Sequence, residues 1–322
     1  MKKTFAILLA CILALTMLAA CGSGSATTYA GAGNQGESQP TQKASSQSTA
    51  PQNAPVQSSA TQSAPANTFD PGRIIAVFTR EEGSGTRDAF ASLTGVGEEM
   101  YAEAVVESET NQILIKVEEN DYAISYVSAG SLNERVKALA IDGVKPSNAT
   151  IMDGSYKLQR PLLVCVTEEK EQEPLVQDFI AFMLSAEGQD ISATKWTKID
   201  VNAPAYASSG ASGTLKVGGS TSVEPLMQAL RQAYIACNPG VEIEISGGGS
   251  GTGISEATSG ILDIGMSSRA LKDAEKETLK GVNIALDGVA VIVNPVNPVT
   301  EMTIAQVKSI FTGDVTRWDK IG

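Results

Sequence analysis

Beyond its first seventy residues the chain alternates short apolar runs with stretches whose apolar positions recur at helical spacing. Ile74–Thr79 reads as a strand and Arg87–Leu93 as the helix that follows it. Tyr122–Val127 and Pro161–Thr167 read as further strands. In Glu173–Leu184 the side chains of Leu175, Val176, Phe179, Ile180 and Met183 fall on one helical face. A Ser/Gly/Ala-rich break at 202–212 interrupts the pattern, which resumes with a strand at Leu215–Val217 and a helix through Leu226, Met227, Leu230, Tyr234 and Ile235. Val241–Ile245 and Asp287–Asn294 read as strands, and Ile304–Phe311 as a helix. Strand–turn–helix repetition with short loops predicts an α/β architecture with largely parallel sheets. Such sheets place their ligands at the carboxyl ends of strands.

Three Gly/Ser/Thr turns stand at those positions, each placed to open a helix: Gly83-Ser84-Gly85-Thr86, Gly219-Ser220-Thr221-Ser222 and Gly249-Ser250-Gly251-Thr252. A helix start leaves N–H groups unpaired and carries partial positive charge, so it attracts anions. Hydroxyls add donors without bulk. Helix N-capping by the same Ser and Thr side chains is compatible with ligation, since both use one helix end. The first turn lacks the Lys of a nucleotide-binding loop, which disfavours a nucleotide. Arg80, four residues before Ser84, offers paired donors matched to two oxygens of an anion, or else an ion pair to Glu81 or Glu82.

The ends of the chain change the picture of where it works. Lys2 and Lys3, the apolar run Phe5 to Met17 and the string Leu18-Ala19-Ala20-Cys21 read as a lipoprotein signal over 1–21, with cleavage before a lipidated Cys21. The apolar run is short for a bilayer span. Residues 22–69 are rich in Ser, Gln, Ala, Thr and Pro with only Glu37 and Lys43 charged, the composition of a disordered tether. About 250 residues remain, enough for one two-lobed domain. Cleavage removes two lysines and no acid, taking the formal charge from −12 to −14. That acidity disfavours nucleic acid, and it leaves anion capture to local donors. There is no histidine, so neither a His-based triad nor a His-ligated metal is expected. Of four cysteines, Cys11 and Cys21 belong to the signal; for Cys165 and Cys237 two buried free thiols are favoured over a disulfide.

At these residues the chain resembles the phosphate-binding lipoproteins of Pst-type ABC importers, the PstS family. The resemblance rests on Gly219-Ser220-Thr221-Ser222-Val223-Glu224-Pro225, Ser246 to Gly253, Asp263 to Arg269, Asp287 to Asn294, Ile310-Phe311-Thr312-Gly313 and Trp318 in one segment. In the other it rests on Arg80 to Arg87, Ile124-Ser125-Tyr126-Val127 and Tyr156 to Pro161. It implies a two-lobed, type II periplasmic-binding-protein-like fold, each lobe a mostly parallel sheet flanked by helices, with the ligand cleft between. In the family pattern the stretch matching 213–322 precedes the stretch matching 70–201. Here the halves are exchanged and joined through 202–212, as in a circular permutant or a piece of a duplicated or broken gene. Carried over, residues near 160–285 form one lobe, and 73–158 with 287–322 the other.

The resemblance also favours the ligand role for Arg80 and implies phosphate contacts from Ser84, Gly85, Thr86, Thr221, Ser222 and Ser250. Ser268 stands where one branch of the family has an Asp that accepts the phosphate proton and repels sulfate. A hydroxyl brings no repelling charge, so weaker rejection of sulfate, or another acceptor, is expected. Arg269 either adds positive charge or braces the turn. Asp263 and Asp287 read as structural, and Trp196 and Trp318 as core or interface aromatics. The implied function is a monomeric receptor, lipid-anchored on the outer face of the cell membrane. It captures inorganic phosphate for an ABC permease, with no cofactor, metal or catalytic residue. The alternatives are a non-binding surface protein or gene fragment derived from the family, and a secreted phosphatase. The last would need a metal cluster or an activated nucleophile that the sequence does not present.

Overall fold

The computed structural model describes residues 69–322; the signal with Cys11 and Cys21, and the tether as far as residue 68, lie outside the described residues. The chain opens with β1 (Ala76–Arg80), α1 (Gly85–Thr94), β2 (Val105–Glu107), α2 (Thr110–Glu118) and β3 (Ala123–Ser128). Short pieces follow: β4 (Lys137–Ala138), β5 (Ala140–Ile141) and α3 (Asn148–Met152). Then come β6 (Gln159–Val166), α4 (Glu168–Glu171), α5 (Pro174–Leu184) and α6 (Ala186–Ser192). After the break run β7 (Gly213–Gly219), α7 (Glu224–Cys237), β8 (Val241–Gly247), α8 (Ser250–Thr258), β9 (Ile264–Ser267) and α9 (Asp273–Lys276). The chain closes with β10 (Lys280–Val293), β11 (Glu301–Met302) and α10 (Ile304–Phe311).

The main sheet runs β2-β1-β3-β10-β6-β9-β7-β8. Its flanks are parallel, β1 with β2 and β3, and β7 with β8 and β9. Its centre departs from the largely parallel expectation: β10 runs antiparallel to β3 and β6, and β6 antiparallel to β9. The reason lies in β10, whose residues 280–288 pair with β6 while 289–293 pair with β3. One strand serves both lobes. Its first half escapes the sequence pattern because Gly281 and Asn283 interrupt the apolar run and a bulge falls between Asn283 and Ala285.

Hydrophobic burial follows the same division. One core, between Leu162 and Ala285, gathers Leu162, Val164 and Val166 of β6 with Phe179, Leu226, Leu230 and Tyr234. Leu163 and Cys165, alternating on the other face of β6, pack with Ile254 and Leu271. The second lobe's cores draw on residues 75–158 and 289–318, including Phe90, Tyr126, Val291, Ile310 and Phe311. Trp196 and Trp318 are buried in the first and second of these lobes, as expected of core aromatics. Cys165 is a buried free thiol, its pKa pushed up to about 12 by burial. Cys237 corrects the expectation of two buried thiols: it is exposed, because the buried stripe of α7 is Leu226, Met227, Leu230 and Tyr234 and Cys237 lies off it at the helix end.

The break at 202–212 has no regular secondary structure up to residue 212 but is tightly held. Asp178 on α5 accepts from Tyr206 Oη at 2.5 Å, Tyr234 Oη at 2.7 Å and Ser209 N at 3.1 Å. Tyr206 also packs edge-on against Phe182.

Candidate functional site

Arg80 is the last residue of β1, and the chain turns after it through Gly83, at φ 87°, into α1. Ser84 caps that helix, accepting from Arg87 N at 3.4 Å, and Gly85 and Thr86 are its first residues. Ser250 opens α8 behind Gly249, at φ 90°. Thr221 and Ser222 stand just outside α7, whose first turn carries Glu224 and Pro225. All three turns lie at carboxyl ends of parallel strands, β1, β7 and β8, as sheets of this kind require.

The turns converge across the cleft. Thr86 Oγ1 lies 2.8 Å from Ser222 Oγ, Arg80 Nη2 donates to Thr221 Oγ1 at 3.2 Å, and Gly251 N donates to Gly83 O at 2.9 Å. Gly85 faces Ser250 and Ser268 so closely that a Cβ there would come within 2.1 Å of Ser250 Oγ and 2.8 Å of Ser268 Oγ. Ser268 N donates to Ser250 Oγ at 3.1 Å, with the two hydroxyls 3.4 Å apart. Ser84, Thr86, Ser222, Ser250 and Ser268 are buried, and the Arg80 guanidinium is 2% exposed. The eight expected residues therefore meet in one place: Arg80, Ser84, Gly85, Thr86, Thr221, Ser222, Ser250 and Ser268. The Ser222 N–H donates to Ser220 Oγ at 3.3 Å.

Arg80 forms the ion pair of its second sequence reading. Its Nε and Nη2 donate to the Glu81 carboxylate at 2.9 Å each, yet the side chain is buried in the cleft rather than on the surface. Tyr126, stacked on Phe90 with centroids 3.9 Å apart, supports the end of β1: its hydroxyl meets Thr79 Oγ1 at 2.7 Å and accepts from Arg80 N at 3.4 Å. Burial pushes the Tyr126 phenol up to about 12, keeping it neutral. Arg269 braces: its guanidinium spans Glu275 at 2.7 Å in its own lobe and Asp88 of α1 at 2.8 Å in the other. Asp263 ties the loop before β9, accepting from Lys216 N at 2.7 Å and pairing with Lys170 at 2.7 Å. Asp287 pairs with Arg160 at 2.9 Å where β6 and β10 pass between lobes.

A family model described as a PBP superfamily domain matches residues 48–187 and 204–322. The chain belongs to the PBP superfamily. Within it the chain groups with proteins named phosphate-binding protein PstS. It is 42% identical over 256 residues to "Phosphate-binding protein PstS 2" of Streptococcus pneumoniae serotype 4, covering 77% of this chain and 87% of the relative. The Streptococcus agalactiae serotype V protein of the same name is 41% identical over 258 residues, covering 77% and 87%. A crystal structure of a "phosphate ABC transporter, phosphate-binding protein" from Streptococcus pneumoniae TIGR4 superposes with a TM-score of 0.65 at 41% identity, covering 78% of this chain and 100% of that one. The 256 aligned residues exceed either sequence segment alone, so the similarity to that relative draws on both segments.

Further side chains reach this PBP cleft that local sequence pattern did not single out. Thr110, the first residue of α2, accepts from Arg80 Nη1 at 3.2 Å and lies 3.3 Å from Thr221 Oγ1. Ser108 O accepts from Arg80 Nη2 at 2.8 Å. The available signal was a Ser-Glu-Thr string ahead of the apolar run Ile113–Val117, a fourth helix start. Beside Thr110 and Thr221 opens a cavity of about 670 Å³ that is also lined by Glu109, Lys195, Glu224 and Gly248.

Proposed function

We propose that this chain captures inorganic phosphate outside the cytoplasm and delivers it to the permease of an ABC importer, with no bond made or broken. One observation carries the reading: a buried guanidinium ringed by hydroxyls and helix starts drawn from both lobes. Oriented N–H and O–H donors replace the hydration of a tetrahedral oxyanion, and local donors do so despite an acidic whole. Donors from both lobes make the closed arrangement the one that binds, and its shape is what a permease can recognise. The names of the PstS relatives point the same way.

In this reading Cys21 carries the lipid that anchors the chain to the outer face of the membrane. Residues 22–69 act as the tether, and the receptor works as a monomer. The segments 70–201 and 213–322 form one circularly permuted receptor through the 202–212 connection. Similarity that covers 87% of the streptococcal relative, more than either segment alone supplies, favours this over a gene fragment. Calorimetric titration of the purified chain with phosphate is expected to give one site per chain, and solution scattering a smaller radius of gyration in its presence. A folded chain that releases no heat and does not compact would overturn the proposal.

A further inference from the structure

Behind the candidate site, on the side of the hinge strands, stands a second buried guanidinium. Arg160 lies on β6 opposite Asp287 on β10, at the point where both strands pass from one lobe to the other. Its Nε and Nη2 donate to Asp287 Oδ2 at 3.0 and 2.9 Å, and Asp287 Oδ1 accepts from Gly130 N at 3.4 Å. A third arm reaches elsewhere: Nη1 donates to Thr86 Oγ1 at 2.9 Å. Thr86 Oγ1 in turn meets Ser222 Oγ of the opposite lobe at 2.8 Å. Arg160 is 3% exposed, and Thr86, Ser222 and Asp287 are buried with it.

The chemistry of this relay is one-directional. A guanidinium has five donors and no acceptor, so Thr86 Oγ1 can only accept from it. The single hydroxyl proton of Thr86 must then point away from Arg160, which leaves it available to Ser222 or to a ligand in the cleft. A threonine without such a neighbour could turn either a proton or a lone pair to the cleft, and a lone pair would repel an anion. Charge-assisted donation to the oxygen also polarises its O–H bond. Burial lowers the Arg160 pKa and the Asp287 carboxylate opposes that effect, while the nearby Arg80 charge lowers it further. The two guanidinia thus share one buried field.

We propose that Arg160 is a positioning residue for the anion: by donating to Thr86 Oγ1 it commits the Thr86 hydroxyl to donate into the cleft. The inference rests on the phosphate reading above. It assigns Arg160 a role beyond closing the hinge ion pair, for which Nε and Nη2 suffice.

The test is a calorimetric mutant cycle on the full chain with inorganic phosphate. Arg160→Lys and Arg160→Gln are made alone and on Thr86→Val, with Thr86→Ser as the hydroxyl-retaining control. Melting without phosphate establishes which variants fold. Each folded Arg160 variant is expected to weaken phosphate binding by about tenfold. On the Thr86→Val background the same changes are expected to cost nothing further, because the hydroxyl they act through is gone. On the Thr86→Ser background, which keeps the hydroxyl, the Arg160 changes are expected to cost the same tenfold as in the wild-type chain. Wild-type affinity in the folded Arg160 variants, or losses that multiply with Thr86→Val, would overturn the inference and leave the phosphate reading intact. So would failure of both Arg160 variants to fold, which would assign the residue to the ion pair alone. A folded wild-type chain that takes up no phosphate would overturn the function and the inference together.

Discussion

In the proposed function, Ser268 sets what the cleft can refuse. Fully buried beside Ser250, it presents a hydroxyl that donates to any tetrahedral oxyanion and brings no charge to repel one that lacks a proton. Sulfate is therefore expected to compete with phosphate in calorimetry, and Ser268→Asp to widen the preference for phosphate by at least about tenfold, ~1.4 kcal/mol. Undetectable sulfate binding by the wild-type chain at millimolar concentration would refute this. Arg80→Ala removes the charged donor at the centre and should weaken phosphate binding by about a hundredfold, ~3 kcal/mol, with Glu81 left half-solvated and the fold intact. These residues were legible because Gly, Ser and Thr at a strand-to-helix corner have a local chemical meaning. Thr110 and Arg160 were not, because their partners Thr221 and Thr86 lie far along the chain and only tertiary packing brings them together.

Among the elements, α5 owes its hold on the 202–212 connection to Asp178. Burial alone would raise that carboxyl's pKa, but hydrogen bonds from Tyr206, Tyr234 and Ser209 outweigh it and keep the pKa below its ordinary value. A depressed folded pKa means stability that is fully present above the unfolded value, about 4, and is lost as pH falls through the lower folded one. Asp178→Asn is expected to cost about 2 kcal/mol in urea unfolding at pH 7, with the gap to wild type narrowing below about pH 4. A gap independent of pH would contradict this account. Amphipathic α5 and the strands β1, β3, β6 and β8 were readable to within two residues at each end, since each has an unbroken apolar rhythm. The three-residue β2 and the first half of β10 lacked that rhythm. Val105 and Val106 of β2 are exposed on an edge strand, and pairing with β1 rather than burial makes it a strand.

For the molecule as a whole, the two ends of the folded domain lie together. Ile75 N donates to Thr316 O at 2.9 Å, Asp319 N to Pro71 O at 2.7 Å, and Ile74 bridges Arg317. A chain in which a short Gly/Ser loop joins Gly322 to Asp70 and the 202–212 connection is opened between Gly210 and Ala211 should keep the far-UV spectrum and the phosphate affinity. Loss of folding in that rearranged chain would show that the connection does more than join. Fold class could be read from strand–helix repetition, but the antiparallel seam could not, because it depends on one strand crossing between lobes.

That crossing strand has a mechanical consequence. β10 runs unbroken through both lobes with β6 paired beside it. In the proposed function, opening to release an anion therefore has to bend this pair of strands, as a leaf spring bends, rather than swing two bodies on a slack joint.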